Sequence, residues 1–99
     1  MTTFMASFRI GKIGDDYERR QNLEAEILDG STMHWKDTTS FLIVEVDDTI
    51  GNLASRAKQC IDTSMDVVLF RTLGTQDARV IGAVEDQDLF KLMPYCKRA

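Results

Sequence analysis

Hydrophobic and polar positions divide this chain most clearly between Ser40 and Leu73. Ser40–Val46 (SFLIVEV) is too short for an ordinary helix, rich in β-branched and aromatic residues, and interrupted only by Glu45. It predicts a strand buried on both faces. Asp47, Asp48 and Thr49 follow, with side-chain oxygens able to accept from free helix N–H groups and carboxylates suited to the positive end of a helix dipole. Ile50, Leu53, Ala54, Ala57, Cys60 and Ile61 then recur at the spacing of one helical stripe, with Asn52, Ser55, Arg56, Lys58 and Gln59 on the other side. Asp66–Leu73 returns as a strand, with Val67, Val68, Leu69 and Phe70 continuous. This strand–helix–strand unit accommodates a parallel or an antiparallel return, so it does not fix topology alone.

The flanks follow the same logic. Thr3–Ile10 alternates, with Phe4, Ala6, Phe8 and Ile10 on one face and Met5, Ser7 and Arg9 on the other, a strand covered best on one side. Gly11-Lys12-Ile13-Gly14 is a turn; its two glycines are wrongly spaced for a phosphate cradle. Asp15 or Asp16 caps a helix running to about Leu28, with Leu23, Ile27 and Leu28 as a narrow seam extended by Tyr17 or Arg20, and Gly30 stops it. Thr32–Lys36 is a short strand turned back by Asp37-Thr38-Thr39 into the Ser40 strand. Gly74–Asp77 is a turn, and Ala78–Val84 a short last strand weakened by Gly82. Glu85 or Asp86 caps a final helix carrying Leu89, Phe90, Leu92 and Met93, with Pro94 near its end.

The predicted fold is α+β: a single ferredoxin-like domain over residues 1–99, βαββαβ with an extra short C-terminal strand and helix. Its sheet is antiparallel and carries two helices on one face. A parallel doubly wound sheet needs more helices than this chain supplies. The uncovered face then seeks a second copy, so a homodimer is expected.

Composition narrows the function classes. The chain is 43% hydrophobic and 28% charged, values of a soluble globular protein, and has no apolar run of bilayer-spanning length. Without a basic segment followed by an apolar block, no secretory signal is expected, and the cytoplasm is the expected compartment. The formal charge of −4 argues against non-specific nucleic-acid binding. Cys60 and Cys96 are too few for a disulfide framework, and with His34 alone they do not form a zinc site; no metal and no cofactor are expected.

Several segments together resemble a known group: FRI at Phe8–Ile10, TTSFLIVE at Thr38–Glu45, the DDTIGNL helix start, the DVVLFRT strand and the RVIGAV strand. The chain is similar to the ferredoxin-like superfamily of the second CRISPR adaptation protein and its SinR-like relatives. The resemblance implies a homodimer with facing sheets, the last strand often crossing to the partner. Metal-dependent nucleases of that superfamily carry an aspartate at the end of the first strand. The matching position here is Arg9, and a guanidinium cannot ligate a cation.

No catalytic set is expected. The residues to weigh are His34, which as a general base needs an oriented partner, and Asp15 and Asp16, which lie in a loop where they could ligate a metal but serve more simply as helix caps. Trp35 suits either an interface or partial burial. Arg9, Arg71 and Arg79 lie in or beside strands and are the candidates for phosphate binding; Arg9 and Arg71 are placed on one open face, and pairing with Glu45, Asp77 or carboxylates across a dimer is the plainer role. Arg19-Arg20 and Lys97-Arg98 read as solvated charge pairs. The expected function is a non-catalytic dimeric interaction module, with a possible protein partner. The alternatives are a ribonuclease or DNase of the same superfamily and a small-molecule-sensing domain.

Overall fold

The computed structural model describes all residues, 1–99. In chain order the elements are β1 (Thr2–Arg9), α1 (Asp16–Leu28), β2 (Met33–Trp35), β3 (Phe41–Val46), α2 (Ile50–Lys58), β4 (Val67–Thr72), β5 (Asp77–Gly82), α3 (Leu89–Leu92) and β6 (Cys96–Arg98). One six-stranded sheet has the order β2-β3-β1-β4-β5-β6. β1 is antiparallel to both β3 and β4, and β2 is antiparallel to β3, so α1 and α2 each join two parallel strands with one strand between them. This is a pair of interleaved strand–helix–strand units with the helices crossing the same face.

The sheet is mixed, which corrects the expectation of a purely antiparallel one. β4 and β5 form an antiparallel hairpin, but β6 joins the far edge parallel to β5. A short helical turn and Pro94 carry the chain back across the sheet, so the last strand runs in the same direction as β5. β6 has no apolar pattern that announces a strand. β5 is a full six-residue strand, paired to β4 of its own chain.

Alternation decides the layers. Phe4, Ala6 and Phe8 of β1, Leu42, Val44 and Val46 of β3, and Val68 and Phe70 of β4 face α1 and α2, closing one core with Leu23, Ile27, Ile50, Leu53, Ala54 and Ala57. Full burial of a side chain the size of Phe4, Phe70 or Leu53 contributes about 1.5–3 kcal/mol. β3 is not buried on both faces as its apolar run predicts: Phe41, Ile43 and Glu45 alternate with the core residues and are half-exposed. The outer face is not left wholly bare either. Ala78, Val80 and Cys96 form a second, smaller core there, covered by Leu89, Phe90, Met93 and Tyr95. The chain's own C-terminal segment therefore roofs the β4–β5 half and leaves the β2–β3–β1 half open.

Helix ends show where local chemistry competes. Thr49 caps α2 as expected, its hydroxyl accepting from Asn52 N at 3.2 Å. Asp15 sits at the N-cap of α1 but makes no capping bond; its carboxylate is taken by Arg19. Arg19, not Tyr17 or Arg20, extends the α1 seam, and Tyr17 is exposed. For α3 the N-cap position is Asp88, not Glu85 or Asp86, and the Asp86 carboxylate accepts from Asp88 N at 3.0 Å.

Arg56 clamps the two main helices, ion-paired to Asp48 at the start of α2 and lying 3.0 Å from Glu26 Oε1 of α1. The hydrogen bond from Arg56, reinforced by the Thr49 N–H, holds the Asp48 carboxyl below the usual carboxylate range. A folded-state pKa lowered in this way stabilises the fold above the unfolded value of about 4, and the contribution is lost as pH falls through the folded value. Urea midpoints should therefore fall below about pH 4. The fall should be shallower in Asp48→Asn; an unchanged acid limb in that variant would show that the clamp does not couple to folding.

Candidate functional site

The open half of the outer face is ordered by the sheet register. Trp35 lies across from Ile43, Ile43 from Met5, Met5 from Arg71, Arg71 from Ala78 and Ala78 from Cys96, so a single row crosses all six strands. The roofed end of that row is buried, whereas Met33 and Trp35 at the β2 end are 70% and 43% exposed. Trp35 meets Phe41 edge-to-face at 6.3 Å, which steadies both rings on the surface. A shallow recess of about 280 Å³ lies between these side chains, lined by Thr3, Met33, His34, Trp35, Ile43 and Glu45. Large side chains held this way at an edge strand form an apolar surface with polar groups at its margin, the anatomy of a contact face.

The candidate arginines do not converge. Arg9 and Arg71 have the same parity across β1 and β4 and share the outer face, but four residues of β4 separate their positions, about 13 Å along a strand. Arg9 is occupied by Glu85 at 3.6 Å and by the Ala83 carbonyl at 3.4 Å. Arg79 lies across from Phe70 on the helix-bearing face and is paired to Asp77 at 2.7 Å. Arg71 has no carboxylate partner: its guanidinium stands over the Tyr95 ring at 5.8 Å, and its buried Nε donates to nothing in the chain.

The remaining candidates are equally dispersed. His34 is exposed in β2 and has no hydrogen-bonded partner to orient it. Asp15 is bound to Arg19, Asp16 begins α1, and no three His, Cys, Asp or Glu side chains gather at one point. Burial pushes the Cys60 thiol up, with Glu26 adding to it, and burial pushes Cys96 up against the opposing pull of Arg79 and Arg98. Neither has the lowered pKa of a reactive thiolate.

A buried node that sequence reasoning missed lies at the opposite end of the helices. Asp66 is completely buried just before β4. Its Oδ1 accepts from Gly11 N at 2.8 Å, and its Oδ2 accepts from Asp62 N at 2.8 Å and from Arg19 Nε at 2.9 Å. Arg19, read from sequence as solvated, is itself buried, and also donates to the Ile13 carbonyl at 3.0 Å and the Gly11 carbonyl at 2.7 Å. Loss of water would lower the Arg19 pKa, but hydrogen bonds to Asp66 and Asp15 outweigh that and raise it. The pair ties the β1–α1 loop, α1 and the α2–β4 loop together. The polar cavity beside it, about 750 Å³, carries Asp15, Glu18, Glu26 and Asp62 against Arg19 alone. With that cation already committed, the node positions the loops and offers no free group to a ligand.

No family model matches the chain, and neither do any curated protein or solved structure.

Proposed function

We propose that this protein is a non-catalytic interaction module that works as a homodimer joined through the β2–β3–β1 half of its outer face. The carrying observation is the patch itself: Met5, Met33, Trp35, Phe41 and Ile43 occupy one continuous helix-free surface, with Met33 70% exposed. The order β2-β3-β1-β4 with both crossing helices on one face supports a ferredoxin-like classification, and the resemblance to SinR-like relatives of the second CRISPR adaptation protein rests on the same strands. Two free thiols suit a reducing compartment, so the cytoplasm is its proposed location. Arg9 at the end of β1 is held by Glu85 instead of offering a carboxylate to a cation, which supports an accessory role over the nuclease alternative.

Sedimentation velocity tests the reading. The wild-type protein should sediment as a dimer at micromolar concentration. Ile43→Asp, which puts a carboxylate in the middle of the apolar row, should sediment as a monomer with an unchanged circular dichroism spectrum. A wild-type protein that remains monomeric overturns the proposal, as does nucleic-acid cleavage that is abolished by His34→Ala or by Asp15→Asn.

A further inference from the structure

We infer that the two copies are held in register by reciprocal ion pairs, Arg71 of each protomer with Glu45 of the other. The inference rests on the dimer proposed above and adds the contacts that select its geometry. Arg71 and Glu45 are opposite charges on the same face, and neither has an ionic partner within the chain. Glu45 lies across β1 from Arg71: it faces Thr3, whereas Arg71 faces Met5. Two strand spacings and two residues separate their backbone positions, roughly 12 Å, and within one protomer the two side chains turn to other neighbours, Arg71 to Tyr95 and Glu45 to Thr32. The Glu45 carboxylate accepts only from the Thr32 hydroxyl, at 2.9 Å. Arg71 makes no hydrogen bond; its Nε is sealed from water while its terminal nitrogens remain open, and Tyr95 stands against the guanidinium at 5.8 Å.

A half-buried guanidinium with five donors and no acceptor lacks part of its environment. A second copy supplies that part. In a two-fold contact, if one residue meets a second, the second meets the first. A two-fold axis lying in the interface and passing over Thr3 and Met5 carries Arg71 of each copy onto the partner's Glu45. The same axis lays Met5 and Ile43 against their own counterparts, leaving the charges at the margin of an apolar centre. An apolar peptide on this face would strand both charges. A nucleic acid would meet Glu45 in the same patch and a formal charge of −4. The complementarity favours a second copy of this chain.

Charge reversal reads this out directly. R71E and E45R, each alone, create two like-charge contacts per homodimer and should weaken self-association at least about tenfold. An equimolar mixture of R71E and E45R should recover the dimer, and native mass spectrometry should find it almost wholly as the heterodimer. The double variant R71E/E45R should recover a homodimer. Where R71E does not fold, R71Q takes its place, and its mixture with E45R should still favour the heterodimer. Single variants that dimerise like the wild type, or a mixture that stays monomeric while both variants are folded, overturn the inference. In the first case the dimer itself survives; a monomeric wild type instead removes the reading beneath it.

Discussion

Asp66→Ala should lower the melting temperature by more than about 10 °C, the largest effect expected of any single carboxylate in the chain. Asp66 is one of three buried polar or charged residues, and its two oxygens satisfy two backbone N–H groups as well as the Arg19 guanidinium. Alanine leaves all three donors in place without their acceptor. Removing one member of a buried charged network costs about 3–5 kcal/mol, because its partners stay behind unpaired. The loss should be shared with Arg19. Arg19→Met should also destabilise, and the double variant should cost clearly less than the two singles added together, since most of each penalty is the stranded partner. Thermal unfolding followed by circular dichroism measures all three. A drop of only a few degrees for Asp66→Ala, or strict additivity, would mean that the loops are fixed by other contacts.

Gly82→Ala is the second large effect, and its cause is steric. Gly82 ends β5 with φ +96°, a region that L side chains rarely adopt. A Cβ there would stand 1.9 Å from the Asp66 carbonyl oxygen, and that same carbonyl accepts from Ala83 N at 2.8 Å. Backbone strain alone costs about 1–3 kcal/mol at such a position. Here the clash adds to it, because neither β4 nor β5 can withdraw without breaking the pairing of Val67 with Gly82. The variant should accumulate as insoluble protein or melt far below the wild type. Gly74→Ala is the control: it also has positive φ, +89°, but open space around it, so it should lose much less. Similar losses at the two glycines would show that conformational strain dominates and that the close approach to Asp66 is unimportant.

Gly82 also illustrates what the sequence conveys. A glycine within an apolar run reads as a weakness in a strand, whereas in the structure it is what permits β5 to lie against Asp66. Period-two alternation placed β1 within one residue at each end, and period-three-to-four spacing placed α2, which stops at Lys58, short of Cys60 and Ile61, because both elements have a face whose burial is written in neighbouring residues. The shared face of Arg9 and Arg71 was likewise legible, since parity in paired strands decides it. The Arg19–Asp66 node was not: the partners are 47 positions apart, and an arginine pair near a helix start looks like any solvated surface. β6 escaped for a related reason, as its Cys-Lys-Arg sequence carries no alternation and its place depends on where α3 delivers the chain. Trp35, read as suited to an interface or to partial burial, is partly exposed at the β2 edge, and Glu45, a lone charge in a strand otherwise apolar, marks the side of β3 that turns away from the helices.

The position of β1 also has a consequence during synthesis. β1 leaves the ribosome before either of the strands that flank it, β3 and β4, the later of which runs to Thr72. At about 5–20 residues per second, several seconds pass before both neighbours exist. Through that interval Phe4 and Phe8 lack the β4 side of their core, Val68 and Phe70, so the sheet cannot close around β1 until the segment ending at Thr72 has emerged.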